Sequence, residues 1–255
     1  MLGLALVCAQ PSLIAMSLAC GEVRQEQLFR SWQRAKADTR SLVVDFTLER
    51  TIRIREEKVQ LTGTVKMMRT AKGELLASYT EAIVDKPGAA AKPQWVGLLV
   101  GGTLYCLDTD NKTAIRVEPA NGDVRLWLED KFNPFILLLD EQRARGKHRT
   151  RVTRQDECYT YVDVRPPLRQ LSGFDVGCER ARAVFMNKDR DGVPKDMPRQ
   201  LWYQDAAGDC STFDVRLWKG NAADGPKAED FIKPEDRPGW QVSDTGWPSL
   251  WSAKK

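Results

Sequence analysis

Residues 42–69 constrain the fold of this chain more than any other stretch. Leu42, Val44, Phe46, Leu48, Ile52 and Ile54 share one parity, while Asp45, Thr47, Glu49 and Arg53 fall on the other. Further on, Val59, Leu61, Gly63, Val65 and Met67 alternate with Gln60, Thr62, Thr64 and Lys66. A period of two is the signature of a strand with one apolar and one wet face. Two such runs back to back predict a long antiparallel hairpin. Arg69 continues the apolar side of the second strand, where an unpaired charge is costly, and that makes it a candidate functional residue.

At 255 residues the chain is long enough for one large β domain with a substantial core. Its 39 Lys and Arg against 35 Asp and Glu leave it slightly basic. The charges are interspersed, and no basic stripe with interleaved aromatics argues for nucleic acid. Residues 1–19 carry no charge and are mostly apolar, as in the hydrophobic region of an export signal. Two readings of its end stand side by side. Ser17-Leu18-Ala19 offers the small residues a signal peptidase requires, and Leu18-Ala19-Cys20-Gly21 resembles a lipoprotein acylation site that would anchor the chain through Cys20. Either reading implies export to the periplasm or cell envelope, and Pro11 makes the segment a poor permanent span.

In an oxidising compartment Cys106, Cys158, Cys178 and Cys210 form an even set for which disulfides are expected. Their spacing is too wide and irregular for zinc. The single histidine, His148, excludes multi-histidine metal centres and most hydrolase triads, so neither a metal nor a cofactor is expected.

Along the chain, Val23, Leu28, Trp32 and Ala35 predict an amphipathic helix over 23–37. After the hairpin, strands are predicted at 75–80, 82–84, 95–100 and 104–107, the last two joined by the tight turn Gly101-Gly102, and at 113–118. Asn133-Pro134 has the form of a helix start, and Phe135, Ile136, Leu137, Leu138 and Leu139 after it are apolar all round. In an otherwise β chain such a turn must be covered, and it most simply lids the concave face of a sheet. Strands resume at 150–153, 159–164, 181–186, 200–204 and 212–218. Asp108-Thr109-Asp110-Asn111 and Asn187 to Gly192 hint at calcium loops, but Lys112 and Pro198 stand where further ligands are needed, and turns are the better reading. A tail rich in Pro, Gly and Trp follows residue 240.

If 159–164 and 181–186 are antiparallel neighbours, Cys158 and Cys178 lie about 20 Å apart at opposite ends of the pair, too far to be joined. Setting 181–186 beside 200–204 brings Cys178 toward the turn before Cys210. A Cys178–Cys210 disulfide is therefore predicted, with Cys106–Cys158 left by elimination.

The order of these pieces resembles the LolA-like family of periplasmic lipoprotein carriers across about residues 23–240. The likeness is carried by the opening helix, Ser41-Leu42-Val43-Val44-Asp45-Phe46, Gly63-Thr64-Val65-Lys66-Met67-Met68-Arg69, Leu99-Val100-Gly101-Gly102-Thr103-Leu104-Tyr105, Asn133-Pro134-Phe135, Asp230-Phe231 and Pro238-Gly239. The resemblance implies an incomplete antiparallel β-barrel whose hydrophobic cavity is closed by helices and holds acyl chains of lipoproteins between an envelope donor and an acceptor. It also implies that Arg69, at the family's latch position, hydrogen-bonds the lid in the closed state.

Together these readings predict a mainly β (α+β) chain: an export signal over 1–20, a half-barrel domain over 21–240 and an irregular tail over 241–255. The expected function is non-enzymatic carriage of acyl chains of lipoproteins or other lipids. The cavity would be lined by Val44, Phe46, Leu48, Val65, Met67, Leu99 and Leu104 and by Phe135, Ile136, Leu138 and Leu139, with Arg69 as latch. An envelope sensor or protein-interaction module on the same fold, binding through a sheet edge or the tryptophan tail, is the alternative. Glycan hydrolysis by Asp108 with Asp110, or Glu129 with Asp130, is disfavoured because such catalysis needs carboxyls facing each other across a substrate.

Overall fold

The computed structural model describes residues 13–83, 92–117, 149–165, 178–205 and 207–244. One helix, α1 (Leu13–Asp38), leads into β1 (Ser41–Ile52), and a 3-10 turn at Arg53–Arg55 joins it to β2 (Glu57–Arg69). β3 (Leu75–Ile83), β4 (Lys92–Val100), β5 (Thr103–Asp108) and β6 (Thr113–Val117) complete the first half. The second half contributes β7 (Arg149–Gln155), β8 (Tyr159–Arg165), β9 (Cys178–Met186), β10 (Pro198–Asp205) and β11 (Cys210–Gly220). Two 3-10 turns, Ala228–Phe231 and Pro234–Asp236, precede β12 (Gln241–Ser243). All twelve strands form one sheet, ordered β12-β6-β5-β4-β3-β2-β1-β11-β10-β9-β8-β7. The sheet does not close on itself, so the chain is mainly β and built as an incomplete barrel.

The predicted hairpin forms its centre. β1 and β2 pair antiparallel from Ser41↔Met68 to Ile52↔Glu57 without a slip, because a one-residue shift would turn every apolar side chain of both strands into water. Gly101 and Gly102 form the two-residue turn between β4 and β5 with φ of +61° and +71°, the left-handed values that a side chain would oppose. β8, β9, β10 and β11 follow as successive antiparallel neighbours, the strand order expected from the sequence.

Both faces of the sheet are apolar, and each carries its own cluster. On the inner face Leu42, Val44, Phe46, Leu48, Leu61 and Val65 join residues of β3 to β11 with Leu28 and Phe29 of α1. The predicted helix is therefore present but longer, starting at Leu13 and running past Cys20 without a break. Among the described residues no helix is long and apolar enough to cross a membrane. A polar clamp fixes α1 to the second half of the sheet. Arg24 donates to the carboxylate of Asp196 at 2.8 Å and to the amide oxygen of Asn187 at 2.9 Å. The Ser31 hydroxyl holds the other Asp196 oxygen at 3.0 Å. Thr160, fully buried, donates to the same Asn187 oxygen at 2.7 Å.

On the outer face Leu76, Leu98, Val100, Tyr105 and Leu107 are covered by Phe231, with Trp240 and Val242 packed beside it. The C-terminal segment is thus a strap laid over β2 to β6. Arg116 pins it, donating to Glu235 at 2.6 Å and to Asp244 at 2.6 Å, while the Tyr105 hydroxyl donates to Glu235 at 2.9 Å. Burial alone would raise the Glu235 carboxyl, but the hydrogen bonds from Arg116, the backbone and Tyr105 together outweigh it and hold the group below its ordinary value. The strap ends in β12, which adds to β6 in parallel. The first residues of the expected irregular tail, Gln241–Ser243, are therefore a strand of the sheet, and Trp240 packs against the outer cluster.

Neither predicted disulfide is present, since Cys158 and Cys210 are thiols. For Cys178 and Cys210 the reason is one intervening strand. Cys178 faces Asp205 of β10 on one side, and Cys210 faces Gln204 on the other. Two strand spacings amount to about 10 Å, beyond the reach of a disulfide.

Candidate ligand-binding face

Val44, Phe46, Leu48, Val65, Leu99 and Leu104, all expected to line a cavity, come together in the inner cluster, and Met67 packs against it. None of the six is more than 4 % exposed, so in this arrangement the face is shielded from water, in part by Leu28 and Phe29 of α1. Phe135, Ile136, Leu138 and Leu139 lie outside the described residues.

At the centre of this face four aromatic rings span the strands from β3 to β10. Phe46 sits 5.7 Å from Tyr79 and 5.4 Å from Phe213, and Phe213 sits 6.1 Å from Tyr203, centroid to centroid. These are ordinary separations for tilted and stacked aromatic pairs. Between β1 and β3 the row is bridged by a residue without a side chain. Gly63 faces Phe46 across the hairpin and Glu81 across β3, and the Phe46 ring lies over it. A Cβ at position 63 would stand 2.2 Å from the ring tip of Phe46 and 2.7 Å from the Thr80 carbonyl oxygen. Glycine here is a packing requirement rather than a conformational one.

Beyond Phe46 and Leu48, the inner parity of β1 ends in a charge, but the residue is Arg50. Arg50 donates to Glu81 at 3.2 Å, and the Tyr79 hydroxyl donates to the same carboxylate oxygen. Glu81 is among the few buried charged or polar residues. The arrangement corrects the expectation of an inward charge at Arg69. That side chain is exposed at the end of β2, where its backbone N–H bonds the carbonyl of Arg40 at 2.7 Å. A strand end lets a long side chain leave the face that its register assigns to it, whereas Arg50 lies between paired strands on both sides. Parity contained this signal, since 50 is an even position like 42 to 48.

Burial and the neighbouring Glu81 carboxylate push the Tyr79 phenol well above its ordinary value of 10.0. Unfolding would free that phenol to ionise at about pH 10. The stability held through Tyr79 is therefore full below pH 10 and declines as pH rises from there toward the folded value. Thermal melts should show a loss of midpoint above pH 10 that is smaller in Tyr79→Phe than in the parent; equal losses would place the alkaline transition elsewhere.

The remaining acidic candidates serve turns. Asp108 accepts the backbone N–H groups of Asp110 and Asn111 at 3.1 and 3.0 Å and the Asn111 side-chain amide at 2.7 Å. Asp189 accepts the Lys195 N–H at 2.7 Å, and Asn187 belongs to the Arg24 clamp. Glu129 and Asp130 lie outside the described residues. No group of three or more potential metal ligands occurs among the described residues.

No family model matches this sequence, and no curated protein matches it. Among solved structures, the chain is similar to a DUF1329 family protein from Desulfovibrio piger, with 8 % identity and a TM-score of 0.39 over 81 % of this chain and 97 % of that one. It is similar also to LprF from Mycobacterium bovis, with 14 % identity and a TM-score of 0.39 over 81 % of this chain and 98 % of that one. Both are distant likenesses.

Proposed function

We propose that this protein is an exported, non-enzymatic carrier of acyl chains from lipoproteins or other lipids in the bacterial cell envelope. One observation carries the reading. An open sheet gathers Val44, Phe46, Leu48, Val65, Leu99 and Leu104 into a continuous apolar inner face, and its other face has separate cover from the strap. An open sheet can part from whatever lies over it more cheaply than a closed barrel can, since no ladder of hydrogen bonds has to break. Burying one methylene of an acyl chain is worth about 0.8 kcal/mol, so a chain of ordinary length can compensate for displacing cover. The uncharged stretch over 1–19 supports export. Arg69, exposed at the end of β2, remains the proposed latch toward residues 135–139, which lie outside the described residues.

Titration with a fluorescent fatty acid tests the reading. Saturable uptake at low micromolar ligand is expected, and Arg69→Leu should retain uptake while slowing release to acceptor vesicles. Absence of uptake at high micromolar ligand would leave the inner face as ordinary packed core.

A further inference from the structure

The pair Arg50–Glu81 is out of keeping with the surface it sits on. Every inward position of β1 from Leu42 to Leu48 is apolar and buried, and on β3 the inward Ala77 and Tyr79 lead to Glu81. A buried ion pair is weak support for a fold, because apolar residues of similar volume usually do as well or better. Its placement next to the apolar inward positions of β1 calls for another reason.

The two partners are unequally covered. The Glu81 side chain is 12 % exposed and its carboxylate is already served by Arg50 and by the Tyr79 hydroxyl. The Arg50 side chain is 36 % exposed, and among the described residues it donates one hydrogen bond, to Glu81. A guanidinium has five N–H donors in a planar fork, which suits carboxylate and phosphate oxygens. Glu81 therefore engages one side of the fork and leaves the rest of the part-exposed guanidinium without a described partner, beside Val59 on β2 and Ser211 on β11.

Resting on the acyl-chain reading above, we propose that Arg50, oriented by Glu81 and Tyr79, binds the anionic head, a carboxylate or phosphate oxygen, of an amphiphile whose chain lies along Leu48 and Phe46. The site selects single-chain anionic lipids over neutral ones of equal length. Glu81 is a positioning residue and does not touch the ligand.

Competitive displacement of the fluorescent fatty acid tests this with three probes of one chain length: the free fatty acid, its methyl ester and a single-chain phosphate monoester. The parent protein should bind both anions about tenfold or more tightly than the ester, the range of a charged hydrogen bond, and the tighter anion identifies the head. Arg50→Met should bring both anions down to the ester's affinity and leave the ester unchanged. Because that variant strands Glu81 and could fold poorly, Arg50→Met with Glu81→Gln removes both charges at constant shape and should behave alike. Equal binding of acid and ester by the parent, or an unchanged preference in either variant, overturns the Arg50 site and spares the acyl-chain reading. Failure of all three probes overturns both.

Discussion

Gly63→Ala should lower the melting midpoint by about 10 °C. The added methyl would meet the Phe46 ring at 2.2 Å and the Thr80 carbonyl oxygen at 2.7 Å. The ring is hemmed by Tyr79 and Phe213, and the carbonyl belongs to a strand paired on both sides, so neither can yield freely. Overpacking of this kind costs about 3 kcal/mol, and each kcal/mol moves the midpoint of a domain this size by about 2 to 4 °C. The cause can be isolated by a second change. Phe46→Leu removes the atoms that the methyl would strike, so the pair Gly63→Ala with Phe46→Leu should cost clearly less than the sum of the single changes. Strict additivity in calorimetry would show that the ring is not what excludes a side chain at position 63.

Arg24→Met should cost about 3 kcal/mol, since the side chains of Arg24 and Asp196 are only 13 % and 14 % exposed and removing one member of such a pair leaves the other uncompensated. Asn187 loses a donor at the same time. Because this clamp holds the helix that carries Leu28 and Phe29 over the inner face, the variant should also take up fluorescent fatty acid faster than the parent. Replacing Asp196 by Asn in the same background should recover part of the stability. A drop in stability with no change in uptake rate would mean that α1 is fixed cover and that ligand enters elsewhere.

The hairpin was legible because alternation alone specifies it, and Arg50 shows how that signal can be misread. An arginine on an apolar parity is conspicuous at a strand end, where it is free to turn outward as Arg69 does, and inconspicuous inside a run, where it must find a partner such as Glu81 on another strand. The strap was less legible. Nothing in the Pro- and Gly-rich stretch around Phe231 and Trp240 has a period, and a three-residue strand such as β12 is below the length at which alternation can be seen. Its trace lay instead in β4 and β5, whose near-continuous apolar runs are what strands covered on both faces require. The Arg24 clamp was not readable at all, since it joins side chains more than 160 residues apart. A correct strand order does not by itself give the cysteine pairing, because β9 and β11 are each adjacent to β10 and not to each other.

The central claim is that an acyl chain lies on the inner face. Methyl-labelled protein titrated with a fatty acid bearing a nitroxide on its chain tests it most directly by NMR. The account predicts stronger broadening of the methyls of Val44, Leu48, Val65, Leu99 and Leu104, on the inner face, than of Leu76, Leu98 and Leu107, beneath the strap. Stronger broadening on the strap side, or broadening of neither set at saturating ligand, would contradict it.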